Sequence, residues 1–141
     1  MFAGCSNLTQ APELPATELA SNCYNLMFLG CTSLTQAPEL PARTLANSCY
    51  SSMFRGCTSL TTAPELPATI LATRCYYYMF YECSNLNYIK CLATDISATS
   101  CTGSWLYLTS PTGTFVKHPD ATWPSGNSGI PNGWTVVDAE I

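Results

Sequence analysis

The sequence predicts an α/β repeat fold: a solenoid with one short parallel strand and one short helix per unit, closed by a C-terminal β cap. Three observations predict it. The pattern M-F-x-G-C-x-x-L-T-x-A-P-E-L-P-A-x-x-L-A-x-x-C-Y-x-x fills residues 1–26, returns at 27–52 and 53–78, and decays over 79–102. A fixed period of this size is the mark of stacked units that bury their apolar faces only against each other. Within a unit the apolar spacing changes from a short strand-like run to steps of three and four. After Gly103 the composition shifts to Trp, Thr, Gly and Pro, which leaves 103–141 as a β-rich capping segment.

In the second unit, Leu34-Thr35-Gln36-Ala37 reads as a short strand bounded by turn residues. Pro38 lacks an amide hydrogen, so a ladder must stop or run along an edge there. Leu45, Ala46, Cys49, Met53 and Cys57, with Phe54, make a helical stripe. Thr17, Thr69 and Asp95 stand where N-caps of such helices belong. Gly4, Gly30 and Gly56 stand where the helices would end in a left-handed residue. The strand columns are Leu8, Leu34, Leu60 and Leu86, then Ala11, Ala37, Ala63 and Ile89.

The fourth unit keeps Cys83, Leu86, Leu92, Ala98 and Cys101 in their columns. Lys90 and Ala93 replace its two prolines, and Trp105-Leu106 replaces Met-Phe. In the capping segment, Trp105–Leu108, Thr114–Lys117 and Trp134–Val137 read as strands. The chain begins inside a repeat, which predicts a fragment of a longer protein, or a first unit covered by another chain.

Composition narrows the function. Hydrophobic residues make up 47% of the chain and charged residues 10%, with a net charge of −4. An ordered chain with a surface of Thr, Ser, Asn and Tyr is expected. Arg43, Arg55, Arg74, Lys90 and Lys117 form no visible patch, so no phosphate-neutralising surface for nucleic acid is expected. No apolar run is long enough to span a membrane, and the N-terminus lacks the n- and h-regions of a signal peptide.

The unit resembles the BspA-type leucine-rich repeats, also called the Treponema pallidum type. Met53-Phe54-Arg55-Gly56-Cys57-Thr58-Ser59-Leu60-Thr61 is similar to that family's Phe-x-x-Cys-x-x-Leu core, and Leu66-Pro67 stands for its Ile-Pro. The likeness covers residues 1 to about 101. Two departures are the longer unit, filled by Pro-Glu-Leu-Pro and Leu-Ala-x-x-Cys-Tyr, and Ala where the family prefers Ile. The tail from Pro111 resembles, more loosely, C-terminal segments of Bacteroidales-type surface repeat proteins. The resemblance implies a leucine-rich-repeat fold and a cell-surface or secreted bacterial protein used in adhesion or partner binding, with no single ligand.

Cys5, Cys31, Cys57 and Cys83 form one column, Cys23, Cys49, Cys75 and Cys101 another, and Cys91 stands off both. Stacked, buried, reduced thiols are the simplest reading. A C-x7-C spacing and a single histidine, His118, do not suit zinc. Cys91 could be a nucleophile only with His118 as base and Asp95 or Asp120 as orienter. It occupies the place of Glu13, Glu39 and Glu65 in earlier units, as a decayed repeat would. Those glutamates read as a solvated edge, since calcium wants six to eight oxygens.

Tyr24, Tyr50 and Tyr76 form a fixed, half-buried column. Tyr77, Tyr78 and Tyr81 stand off the columns, and Tyr88 and Lys90 lie on the strand face. These five are the candidate binding residues, because tyrosine offers contact area with a polar handle; the alternative role of Tyr77, Tyr78 and Tyr81 is packing under the C-terminal cap with Trp105, and Tyr88 with Lys90 is a separate candidate. The expected function is a non-enzymatic binding or adhesion module for a host or bacterial surface protein or glycan, without catalytic residues, metal or cofactor. The alternative is a structural spacer or assembly segment making end-to-end contact through its uncapped N-terminal repeat.

Overall fold

A computed structural model describes residues 2–141; Met1, the expected head of the first unit, lies outside the described residues. Among the described residues there is no helix. The strands form one parallel sheet in the order β1 (Tyr88–Cys91), β2 (Gly113–Lys117), β3 (Trp134–Asp138). This overturns the α/β leucine-rich-repeat solenoid. The 26-residue unit builds a rung of consecutive turns instead, and most of the chain lies outside regular structure.

The backbone hydrogen bonds show why. The amides of Asn22, Tyr24, Leu26 and Phe28 donate to the carbonyls of Asn47, Cys49, Ser51 and Met53 in the next rung, at 2.9–3.0 Å. The amides between them, of Cys23, Asn25, Met27 and Leu29, donate three residues back, each at 3.2 Å. Asn22 (φ 60°), Leu26 (φ 61°) and Gly30 (φ 70°) are left-handed. Each is the third residue of a four-residue turn, the place where a type II turn requires positive φ. A helix would satisfy its interior amides within itself. This ribbon satisfies only alternate ones, so it needs the neighbouring rung to exist.

The expected helix stripe came from a step of four at Cys49, Met53 and Cys57. Four residues of α-helix overshoot a full revolution by about 40°, whereas a ribbon that turns every four residues keeps that spacing on one side without drift. Gly4, Gly30 and Gly56 are left-handed as expected (φ 70–76°), but they close turns. Thr17, Thr69 and Asp95 have no helix to cap; Asp95 accepts from the Ser97 amide (3.0 Å) and hydroxyl (2.6 Å) instead.

The expected strands of the first three units shrink to isolated bridges such as Gln10 with Gln36 and Thr62 with Tyr88. Pro12, Pro38 and Pro64 interrupt the donor row there. Only the fourth rung, where Lys90 restores an amide, forms a continuous strand, β1. The rung is also one residue short at this point. Leu66 pairs with Cys91 and Ile70 with Asp95. Cys91 therefore belongs to the core column of Leu40 and Leu66, not to the glutamate edge, and Asp95 stands opposite Ile70 rather than Thr69.

Side chains stack in register between rungs. Phe2, Phe28, Phe54 and Phe80 lie face to face at 5.5–5.6 Å. Tyr24, Tyr50, Tyr76, Trp105 and Trp123 form a second pile at 5.3–6.1 Å. Leu34, Leu60 and Leu86 are fully buried. The thiols of Cys31, Cys57 and Cys83 donate to the carbonyls of Phe2, Phe28 and Phe54 in the preceding rung at 2.9–3.1 Å.

Two of the three expected C-terminal strands are present as β2 and β3. Trp105–Leu108 is not a strand but a continuation of the turn ribbon, with Ser104 and Leu108 left-handed. Nor is there a separate cap sheet, because β2 pairs directly with β1. The Trp105 indole donates to the Gly129 carbonyl (2.9 Å) and that of Trp134 to Ser110 (2.8 Å), which pins the tail to the fourth rung.

Candidate functional site

The turn ribbon exposes four of its tyrosines side by side. Tyr77 and Tyr78 stack at 4.3 Å, Tyr78 meets Tyr81 at 5.0 Å, and Tyr81 meets Tyr107 at 5.5 Å. All four are half-buried or exposed. The Arg55 guanidinium lies 4.8 Å from the Tyr81 ring centre and 5.5 Å from that of Tyr78. Arg74 lies 5.4 Å from Tyr77. Cation–π contacts of this kind hold a guanidinium in place for about 0.5–1 kcal/mol each at exposed sites.

Stacking of rungs creates this ledge. Arg55, Tyr81 and Tyr107 occupy the same place in three successive rungs. Tyr78 amide donates to Gly103 and Gly56 amide to Tyr81 (3.0 and 2.8 Å), so the backbone beneath the rings is held rung to rung. The rungs on either side carry small residues at the Tyr77 and Tyr78 positions: Ser51 and Ser52 before, Gly103 and Ser104 after. A methyl group on Gly103 would come within 2.7 Å of the Tyr77 ring. Hydrogen bonding to Tyr77, and then the charge that Tyr77 would carry, hold the Tyr78 hydroxyl above the usual phenol range, against the pull of Arg55.

Three of the five expected binding residues thus come together: Tyr77, Tyr78 and Tyr81. They pack on one another; the ring against Trp105 is that of Tyr76. Tyr88 and Lys90 lie apart on β1, and the Lys90 ammonium is 3.4 Å from the Glu65 carboxylate. Sequence reasoning missed Tyr107 and Arg74. Tyr107 was findable, since it stands 26 residues after Tyr81. Arg74 gave no signal beyond being the one charged residue among Asn22, Ser48 and Ser100 at that place.

The nine cysteines are free thiols, seven of them buried. Burial pushes the Cys57 and Cys91 thiols up to about 12 and that of Cys49 to about 11. An activated nucleophile needs the opposite shift. His118, one residue beyond the Cys91–Lys117 pair, spends Nδ1 on the Asp120 amide at 3.1 Å. Glu13, Glu39 and Glu65 lie exposed along the proline edge. Among the described residues no three His, Cys, Asp or Glu side chains gather as a metal site, and no helix is long and apolar enough to cross a membrane.

The ledge is therefore a surface of aromatic rings, hydroxyls and two guanidiniums, set on a backbone in which the amides of Ser52, Tyr78, Gly56 and Glu82 are bonded rung to rung. Comparison with protein families, with curated proteins and with solved structures finds no match to this chain.

Proposed function

We propose that this chain is a non-enzymatic binding module of a cell-surface or secreted protein, and that it captures a surface protein or glycan on the ledge of Tyr77, Tyr78, Tyr81 and Tyr107. The observation that carries the reading is the clustering of four accessible tyrosines with two arginines, where the same places in the first two rungs hold mostly small, polar or aliphatic residues. Aromatic and Arg side chains dominate the energetics of recognition surfaces. The BspA-type likeness of the Met-Phe-x-Gly-Cys segment supports the surface location. A screen of the chain on glycan and extracellular-matrix arrays, beside a Tyr77/Tyr78/Tyr81/Tyr107→Ser variant of equal melting temperature, tests it. A ligand lost in the variant supports the reading; equal binding by both, or none by either, refutes it.

The outer face of the first rung favours a second reading, end-to-end assembly. Phe2, Leu8, Leu14, Leu19 and Tyr24 are only partly covered there, and Cys5 and Cys23 are exposed. In the next rung the carbonyls of Leu29, Asn47, Cys49 and Ser51 accept from the rung before. By the repeat, the carbonyls of Ala3, Ser21, Cys23 and Asn25 point outward and call for a donor-bearing partner. Sedimentation of the chain beside a Leu8→Glu variant tests this. Assembly lost in the variant supports it; a concentration-independent monomer refutes it.

A further inference from the structure

Resting on the ledge reading, we infer that its ligand is an acidic glycan, recognised through its carboxylate or sulfate groups by Arg55 and Arg74. Three observations lead there. Neither arginine has a carboxylate partner: the ion pairs of lysine or arginine among the described residues are Lys90 with Glu65 and Lys117 with Asp138. In a chain of net charge −4, two guanidiniums outside any ion pair stand beside the same tyrosine pair and concentrate positive charge there, with Glu82, next to Tyr81 in the chain, as an acidic neighbour. Each is held by an aromatic ring rather than by an anion, so its N–H fork stays free to bind one.

The second observation concerns the ring faces. A neutral sugar binds an aromatic side chain by lying on an open face. Tyr77 and Tyr78 face each other at 4.3 Å with 9° between their planes, and Arg55 takes up space over Tyr78 and Tyr81. Only Tyr107 keeps a ring face free of a stacked ring or guanidinium; Tyr77, Tyr78 and Tyr81 offer hydroxyls and guanidinium edges, which suit charged groups and sugar hydroxyls.

The third observation separates a glycan from an acidic peptide. An extended peptide gains its affinity largely by pairing its backbone with free backbone groups. Beneath Tyr77, Tyr78 and Tyr81 those donors are spent: the amides of Ser52, Tyr78, Gly56 and Glu82 all donate to the next rung at 2.8–3.0 Å. Recognition there falls to side chains, and Ser51 and Ser104 hold the places of Tyr77 and Tyr78 in the flanking rungs.

The test is direct binding of polyuronate, dextran sulfate, neutral dextran and poly-glutamate to the full chain, the Arg55→Gln/Arg74→Gln variant and the Tyr77/Tyr78/Tyr81/Tyr107→Ser variant. Expected is binding of polyuronate or dextran sulfate that weakens with added salt, about tenfold or more weaker in the arginine variant. Arg55→Lys is expected to recover only part of it, since a lysine lacks the planar fork. Neutral dextran bound as well as the acidic polymers, poly-glutamate bound as well as polyuronate, or an unchanged arginine variant would each overturn the inference. If the tyrosine variant alone loses a ligand from the arrays, the binding-module reading stands while the acidic-glycan inference falls.

Discussion

The first and third rungs share nearly the same residues and live in different environments. Phe2 is half-buried and Phe54 fully buried; Cys5 and Cys23 are exposed, Cys57 and Cys75 are not; Tyr24 is partly open and Tyr76 closed. The sequence pattern is common to both, so the difference comes from neighbours. A rung covered on both sides spends its alternate amides upward and its alternate carbonyls downward, and its thiol bonds to the rung before. A rung covered on one side keeps half of this. Stability in the stack is thus a property of adjacency, as in other one-dimensional arrays.

The sharpest way to break the comparison is to delete the same ring from each rung. Phe54→Ala removes a ring stacked on both faces and is expected to cost about 3–5 kcal/mol. Phe2→Ala removes a ring stacked on one face and is expected to cost less than about half of that. Urea denaturation of the two variants reads the ratio; equal losses would mean that the first rung is covered in solution.

Alkaline pH separates the rungs next. Cys57 and Cys91 ionise near 12 in the folded chain, and burial is the cause. Unfolded, the same thiols ionise near 9, so the unfolded state releases protons first. Their contribution to stability is complete below about pH 9 and falls from there to about pH 12, where the folded thiols also ionise. Cys5 and Cys23 face solvent and are expected to react with a thiol reagent at pH 8 in the native state, the buried seven only on unfolding. Release of two thiols in a fast phase and seven in a slow one checks this; a single phase for all nine would contradict it.

Conformation at one place in the rung gives a smaller effect. Gly4, Gly30 and Gly56 are followed in this column by Glu82 and Leu108, all at positive φ. Gly56→Ala is expected to destabilise by about 1–2 kcal/mol and Glu82→Gly to stabilise by up to about 1 kcal/mol, because only glycine is unstrained there. Opposite signs in thermal melts confirm the turn geometry. Equal signs would contradict a left-handed backbone at this place in the rung.

How much of this was legible follows from which forces write themselves into one unit. The repeat, the cysteine and leucine columns and the off-column tyrosines are local and periodic, so Tyr77, Tyr78 and Tyr81 could be singled out from the chain alone. The helix was misread because Cys49, Met53 and Cys57 recur every four residues, which a helical face tolerates and a turn ribbon requires. What decides between them is the destination of every second amide, and that lies in another rung. The slip that puts Cys91 under Leu66 is equally non-local: losing a residue near Lys90 leaves the cysteine spacing of Cys75 to Cys101 untouched. Arg74 joins Tyr77 only through the ribbon's own curl, which no linear pattern displays.

The smallest expected change in stability is the most informative about the ledge. Gly103 has ordinary negative-φ freedom for alanine, and its added methyl would meet only the edge of the Tyr77 ring, at 2.7 Å, with the Ser100 carbonyl at an ordinary 3.6 Å. The ring must move to admit it, and the lower entropy of alanine in the unfolded chain, about 0.4–1 kcal/mol, offsets part of the lost stacking, so Gly103→Ala is expected to destabilise by about 1 kcal/mol or less. It should nevertheless separate Tyr77 from Tyr78 and release Arg74. The same alanine at Ser51, one rung below Tyr77, leaves the ring in place. If ligand capture falls in Gly103→Ala and holds in Ser51→Ala at equal melting temperature, the stacked pair itself recognises the ligand. If both hold, Tyr81 and Tyr107 with Arg55 suffice, and the ledge narrows to the column that three successive rungs share.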